Sequence, residues 1–139
     1  MIQLIIGEKG KGKTKVLLDK ANTEIKTANG NIVYLDKSAQ HMYELNNRIR
    51  LIDVTGFPVS NSDEFIGFIC GIISQDHDLE QMYLDSFLKI AALEGQDVTA
   101  ALEKLEKISK AFHVNFIISI SLTKEQLPET MKESIIAEL

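Results

Sequence analysis

Residues 7–14 of this chain read GEKGKGKT, and this run limits the possible folds more than any other part of the sequence. It matches the spacing G-x-x-x-x-G-K-T, with the apolar residues 2–6 before it and a helix-like segment after it. Glycines let the backbone turn several N–H groups toward one point, and the next helix adds the positive end of its dipole. The sequence therefore predicts a phosphate-binding loop between a strand and a helix.

Each part of this loop has an expected role. The lysine before the threonine should reach the outer phosphates of a nucleotide, and the threonine hydroxyl should ligate Mg²⁺. The alternative is a turn rich in glycine and lysine that has no ligand, which the flanking strand and helix disfavour. The expected nucleotide contacts are Gly7, Glu8, Lys9, Gly10, Lys11, Gly12, Lys13 and Thr14.

The composition is that of one globular domain, which we expect to span residues 1–139. A net charge of −5 argues against a protein that mainly coats nucleic acid. No apolar run is long enough for a membrane span and no signal peptide is evident, so we expect a cytoplasmic protein without membrane insertion. The single Cys70 lies in an apolar helical pattern, where we expect it to pack in the core.

Apolar runs alternate with helical patterns along the whole chain. Strands are predicted at residues 2–6, 32–36, 49–54, 82–85 and 116–120. Helices are predicted after the loop, around residues 62–73 and 98–112, and from Pro128 to Leu139. Strands separated by helices predict an α/β fold with a mostly parallel five-stranded sheet that helices cover on both faces.

A nucleotide site of this kind needs an acid that organises the magnesium ion. Three predicted strands end in an aspartate, at Asp36, Asp53 and Asp85. Strand-end aspartates also cap turns and helices, so the residues alone leave all three open. We favour Asp85, because a helix and then the strand at residues 116–120 follow it.

That order resembles the RecA-like ATPases, in which the strand after the acid-bearing strand lies beside the strand that leads into the loop. The resemblance implies a three-layer P-loop NTPase fold with Thr14 and Asp85 at the magnesium ion. It also implies that a polar residue at the end of the last strand, Ser119 or Ser121, faces the γ-phosphate. By this resemblance the catalytic residues are Lys13, Asp85 and Ser119.

The chain as a whole resembles small stand-alone P-loop proteins loosely labelled as related to the twitching-motility (pilus retraction) ATPase. Residues 7–14 and 83–85 carry this resemblance most clearly. It implies ATP with Mg²⁺ as the ligand. The chain lacks the N-terminal domain and the acidic and histidine boxes of the true motility ATPases, so a motility function is not transferred.

The sequence departs from active ATPases at two points. Ser86 stands where many of them have a water-activating glutamate, and Glu94 is the nearest downstream acid. The two arginines, Arg48 and Arg50, precede the third strand, at the expected far end of the sheet. The candidate substitute cations are Lys11, Lys37, Lys89 and Lys124. We therefore expect ATP hydrolysis to be slow or to depend on self-association or a protein partner.

Three alternatives stay open at this point. A non-catalytic, nucleotide-binding regulatory or assembly subunit has comparable weight. A GTPase-like switch would use the D-x-x-G pattern at residues 53–56, but Gln126 replaces the aspartate that reads guanine. A small-molecule kinase usually closes an arginine-bearing lid over the phosphates, and no arginine is in a suitable position.

Overall fold

The computed structural model describes all 139 residues and shows an α/β fold with one parallel sheet of six strands. Short 3-10 turns interrupt several of the connections. In chain order the strands and α-helices are β1 (Ile2–Ile6), α1 (Lys13–Glu24), β2 (Asn31–Asp36), β3 (Arg50–Asp53), α2 (Ser62–Ser74), β4 (Leu79–Leu84), α3 (Phe87–Ile90), α4 (Thr99–Phe112), β5 (Asn115–Ile120) and β6 (Ile135–Glu138).

The strand order across the sheet is β3-β2-β4-β5-β1-β6, and every neighbouring pair is parallel. Strand β5 therefore lies between β1, which leads into the glycine-rich loop, and β4, which leads to Asp85. Because the strands are parallel, their carboxyl ends meet at one edge of the sheet. The loop after β1 and the residues that end β2, β4 and β5 all lie at these carboxyl ends.

Two hydrophobic cores cover the two faces of the sheet. Successive residues of each strand point to opposite faces, so Ile5, Tyr34 and Tyr83 pack on the face covered by α1. Their neighbours along the strands pack on the other face against α2 and α4, around Phe65 and Leu102. Both faces are buried, which explains why these strands read as continuous apolar runs.

The C-terminal segment corrects the predicted strand count and the predicted last helix. Residues 128–139 do not form an α-helix: a short 3-10 helix at Glu129–Ser134 leads into β6, which pairs with the free edge of β1. The N–H of Leu139 donates to the carbonyl of Ile6 at 2.9 Å. The open edge of β1 offers unpaired backbone groups, and the β-branched pair Ile135 and Ile136 suits a strand. The sheet thus has six strands rather than five.

Helix α2 corrects the expectation for Cys70, which is exposed rather than packed in the core. The helix buries Phe65, Ile69 and Ile73 on one face. Cys70 comes directly after Ile69, so its side chain points about 100° away from that buried face. None of the helices combines the length and the apolar character that crossing a membrane requires.

Candidate functional site

The glycine-rich loop occupies residues 7–12, directly between β1 and α1. Gly12 is the residue before α1 and has φ of 92°, a left-handed conformation that side chains other than hydrogen disfavour. Gly7 is constrained by space, because a Cβ there would lie 2.7 Å from the carbonyl oxygen of Leu139. The glycines at these two positions are therefore required by the backbone that the loop adopts.

The first turn of α1 is free to receive an anion. Gly12 offers no side-chain cap, and the first turn carries no acidic residue. The first N–H groups of a helix have no partner within the helix, and they point outward with the positive end of the dipole. A phosphate group is the natural ligand for such a helix end when it follows a glycine-rich loop.

Lys13, the first residue of α1, turns back over this loop. The residue is only 9% exposed, and Nζ donates to the carbonyl oxygen of Glu8 at 2.9 Å. Burial lowers the pKa of Lys13, while the negative charge of Asp85 opposes that shift. The ammonium group is thus held at the loop without a salt bridge to a carboxylate.

Asp85 follows β4 directly and accepts hydrogen bonds from side chains of three other elements. Its Oδ1 accepts hydrogen bonds from the hydroxyl groups of Thr14 (3.1 Å) and Ser119 (2.8 Å). Its Oδ2 accepts a hydrogen bond from the hydroxyl of Tyr34 at 2.6 Å. Asp85 and Ser119 are each 1% exposed. The structure thus brings Thr14, Asp85 and Ser119 into direct contact, although they come from three distant parts of the sequence.

Tyr34 is the member of this cluster that sequence analysis missed. Burial, and then the neighbouring Asp85, raises the pKa of Tyr34 far above its usual value, so its hydroxyl keeps the proton and acts as a donor. In the sequence Tyr34 is one apolar residue in a buried strand, two positions before the more conspicuous Asp36. Only the pairing of β2 with β4 reveals that it reaches Asp85.

Asp36 ends β2 beside the same cluster, and it is 2% exposed. Its Oδ1 accepts a hydrogen bond from the backbone N–H of Lys37 at 2.7 Å, but its buried Oδ2 has no partner. Burial, followed by the charge of Asp85, raises the pKa of Asp36 to about 6. The negative charge of the Asp36 carboxylate is therefore disfavoured in the folded protein.

A cleft of about 390 Å³ opens beside the loop and Asp85. Only one of its lining residues, Leu88, is hydrophobic, so the cleft suits a charged ligand better than an apolar one. The lining residues are Lys9, Gly10, Lys13, Thr14, Lys37, Asp85, Ser86, Leu88, Lys89, Glu94, Ser119 and Ser121. Four of the predicted loop contacts, Gly7, Glu8, Lys11 and Gly12, lie outside this lining, and Glu8 contributes its carbonyl to Lys13.

Three lysines besides Lys13 give the cleft further unpaired positive charge. Lys9, Lys37 and Lys89 line it, and none of them has a carboxylate within 4.0 Å. Glu94 is the only acidic side chain in the lining apart from Asp85. Of the four lysines considered as substitute cations, Lys37 and Lys89 reach the cleft, and Lys11 and Lys124 do not.

Asp53 lies apart from this cluster. It ends the edge strand β3, and β2 separates it from β4. Its carboxylate accepts a hydrogen bond from the backbone N–H of Thr55 at 3.0 Å and so caps the turn that follows. Gln126, the other residue considered for the GTPase-like alternative, also has a local role, because it forms a capping box with Thr123.

The two arginines lie at the opposite end of the sheet, as the sequence analysis expected. Arg48 donates to the carbonyl oxygen of Ile25 at 3.3 Å, just beyond the last turn of α1, and Arg50 begins β3. The loop lies at the other end of α1, and a helix of 12 residues is about 18 Å long. Neither arginine can reach the cleft of its own chain.

A magnesium ion bound with phosphates fits this donor set. Mg²⁺ prefers oxygen ligands, keeps several waters, and is usually held by one or two protein groups together with substrate phosphates. Thr14 and Asp85 supply a hydroxyl and a carboxylate oxygen in mutual contact. No group of three or more His, Cys, Asp or Glu side chains is arranged to hold a metal ion.

Comparison with models of protein families finds no match to this chain, and comparison with curated proteins finds no match either. The function proposed below is therefore argued from the geometry and chemistry of the site.

Proposed function

We propose that the protein binds Mg-ATP in this cleft through a P-loop fold of the RecA-like, three-layer type, and that hydrolysis is slow or depends on a partner. The observation that carries the proposal is the contact of Thr14 with Asp85 directly beneath the glycine-rich loop. A threonine at the start of the helix and an acid at a strand end are the two protein groups that Mg²⁺ uses in such sites. Both occur here at 3.1 Å from each other.

The loop and α1 would hold the phosphates. The N–H groups of residues 7–14 and the dipole of α1 attract the phosphate oxygens, and Lys13 would exchange the Glu8 carbonyl for an outer phosphate. The bound magnesium ion would neutralise charge that develops on the β- and γ-phosphates. Lys9, Lys37 and Lys89 add positive charge around the same cleft.

Ser119 is the polar residue at the end of β5 that the RecA-like resemblance places near the γ-phosphate. Its hydroxyl donates to Asp85 and accepts from the backbone N–H of Ser86 at 3.0 Å. It therefore links the strand end of β5 to the turn after β4. Ser121 comes two residues later, just after β5; it is exposed and also lines the cleft.

We expect slow hydrolysis because of the residues that stand where other ATPases activate water and stabilise charge. Ser86 occupies the position after Asp85, and Glu94 is an exposed side chain in the cleft lining. No arginine is near, and Lys37 and Lys89 are point charges without the planar fork of a guanidinium group. The same observations favour the second candidate, a subunit that binds nucleotide without hydrolysing it.

Calorimetric titration of ATP in excess Mg²⁺ tests the proposed site. Lys13→Ala should weaken binding by about tenfold or more, because a charge-assisted contact to phosphate contributes roughly 1.5–3 kcal/mol. Lys15→Ala is the matched control: Lys15 is also in the first turn of α1, but it is exposed and pairs with Asp19 outside the cleft. Equal affinities of the two variants would disprove the assignment.

The same titration separates Asp85 from Asp53 as the magnesium-organising acid. Asp85→Asn should reduce the gain in ATP affinity that Mg²⁺ produces, and Asp53→Asn should not, because Asp53 lies on the edge strand β3. The reverse result would favour the GTPase-like alternative.

A further inference from the structure

The two oxygens of the Asp85 carboxylate have different surroundings. Oδ1 accepts hydrogen bonds from Thr14 and Ser119, and both of these residues line the cleft. Oδ2 accepts its hydrogen bond from Tyr34, which is fully buried and does not line the cleft. One oxygen therefore faces the ligand side of the site, and the other faces the core beneath α1.

The ring of Tyr34 is held firmly in that core. It stacks on the ring of Tyr83, with a centroid distance of 6.0 Å and an interplanar angle of 11°. The two tyrosines are direct partners in the β2–β4 pairing, and the hydroxyl of Tyr83 donates to Gln81 at 2.7 Å. A ring packed in this way gives its hydroxyl little freedom, so its hydrogen bond restricts the rotation of the carboxylate that accepts it.

We propose that Tyr34 is a positioning residue for magnesium, which holds the Asp85 carboxylate so that Oδ1 stays turned toward Thr14 and the cleft. The inference rests on the proposed function, because it takes Asp85 as the acid that serves Mg²⁺ bound with ATP. Tyr34 does not line the cleft, and its hydroxyl bonds to Asp85, so the proposed effect of this hydroxyl passes through Asp85. Outer-shell partners of this kind commonly change metal affinity by about ten- to a hundredfold when they are removed.

Calorimetric titration of the full chain with ATP, once in excess Mg²⁺ and once in EDTA, tests this role. Tyr34→Phe should lower the ratio of the two affinities by about tenfold and leave the affinity in EDTA nearly unchanged. Tyr83→Phe is the matched control, since it removes a buried hydroxyl from the same stack, but one bonded to Gln81. It should leave the ratio unchanged.

The outcomes separate this inference from the proposed function. Full magnesium dependence in Tyr34→Phe, or an equal loss of affinity in both conditions, would overturn the role of Tyr34 alone. Wild-type protein that fails to bind ATP, or binds it equally well with and without Mg²⁺, would overturn both. A purely structural role of Tyr34 would weaken binding in EDTA as well.

A measurement on the wild-type protein covers the case in which Tyr34→Phe does not fold. The chain has three tyrosines, so labelling their ζ carbons with ¹³C gives a simple NMR spectrum. Addition of Mg-ATP should shift the Tyr34 resonance, whereas ATP in EDTA should not, and the Tyr83 resonance should stay in place. An unmoved Tyr34 resonance in the presence of saturating Mg-ATP would overturn the inference.

Discussion

Asp36 is a buried acid near Asp85 whose negative charge the folded protein disfavours. Its buried Oδ2 lacks a hydrogen-bond partner, and burial together with the nearby Asp85 raises the pKa of Asp36 to about 6 from its ordinary value of 3.8. The folded protein therefore holds this proton more tightly than the unfolded chain between these two pH values. The contribution of Asp36 to stability is most favourable at low pH and declines as the pH rises through about 6.

Asp36→Asn should remove this penalty, because the amide stays neutral and its oxygen can still accept the hydrogen bond from Lys37. The difference in free energy of unfolding, variant minus wild type, should increase by about 2 kcal/mol when the pH is raised from about 4.5 to about 7.5. Urea unfolding of both proteins without nucleotide at the two pH values measures this difference.

Asp53→Asn is the control for this experiment, since Asp53 is only partly buried and already has a donor in Thr55. It should bring no gain in stability at the higher pH. If the stability difference between Asp36→Asn and the wild type stays constant with pH, the electrostatic strain at Asp36 is refuted.

At the scale of elements, the site depends on which strands are neighbours. Strand β5 brings Ser119 between the loop after β1 and Asp85 after β4, and β2 brings Tyr34 to the other side of Asp85. On the outer side of β1, strand β6 ends against the loop, where the Leu139 carbonyl oxygen approaches Gly7. The loop is therefore supported by a strand on each side of β1.

Gly7→Ala should destabilise the protein, because the new Cβ would lie 2.7 Å from a backbone oxygen of Leu139 and the residue has φ of 149°. We expect a loss of roughly 1–3 kcal/mol in the free energy of unfolding, in line with the cost of a strained backbone conformation. Hydrogen exchange should also be faster in residues 135–139, because β6 must shift to make room.

Gly71→Ala provides the opposite case within the same chain. Gly71 lies inside α2, and a Cβ there meets nothing within 4 Å, so alanine should stabilise the helix by about 0.5–1 kcal/mol. Thermal or urea unfolding of the two variants compares them directly. A neutral Gly7→Ala with unchanged exchange in β6 would show that the close contact with the loop is not maintained in solution.

At the scale of the whole molecule, the lysines of the cleft and the two arginines lie at opposite ends of the sheet. Lysines surround the cleft at the carboxyl ends of the strands, while Arg48 and Arg50 lie at the amino ends. If the proposed ATP hydrolysis uses an arginine at the phosphates, that arginine must therefore come from another molecule, either a second copy of the chain or a different partner. Such an arginine contributes about three to five orders of magnitude in rate.

Dilute protein should accordingly hydrolyse Mg-ATP well below about one turnover per second, the lower end of typical enzyme rates. Replacing Arg48 and Arg50 together with alanine should leave this basal rate unchanged, and Lys89→Ala should lower it, because only Lys89 of the three lines the cleft. A sensitive phosphate-release assay measures all three proteins.

The dependence of specific activity on protein concentration shows whether a second copy of the chain or a different partner supplies the arginine. If a second copy supplies it, the specific activity should rise with protein concentration in the wild type but not in the double arginine variant. Turnover at about one per second or faster in dilute protein, insensitive to the arginine replacements, would contradict an incomplete site.

The amino-acid sequence alone was sufficient for the features that depend on short stretches of chain. The glycine spacing of residues 7–14, the strand before it and the helix after it are local, and the structure has all three where they were predicted. The alternation of apolar strands with amphipathic helices likewise predicted an α/β fold with a parallel sheet. Backbone preferences and side-chain periodicity act over a few residues, so they can be recognised in a single sequence.

The tertiary structure decided which distant residues meet. Tyr34 and Asp85 are 51 positions apart, and their hydrogen bond exists only because β2 pairs with β4 in one register. Strand β6 forms because the edge of β1 is open to it, which overrides the helical pattern predicted for the same residues. Likewise, only strand order separates Asp85 from Asp53, since both follow similar apolar strands. Contacts of this kind depend on the free energy of the whole packed sheet, which no local pattern encodes.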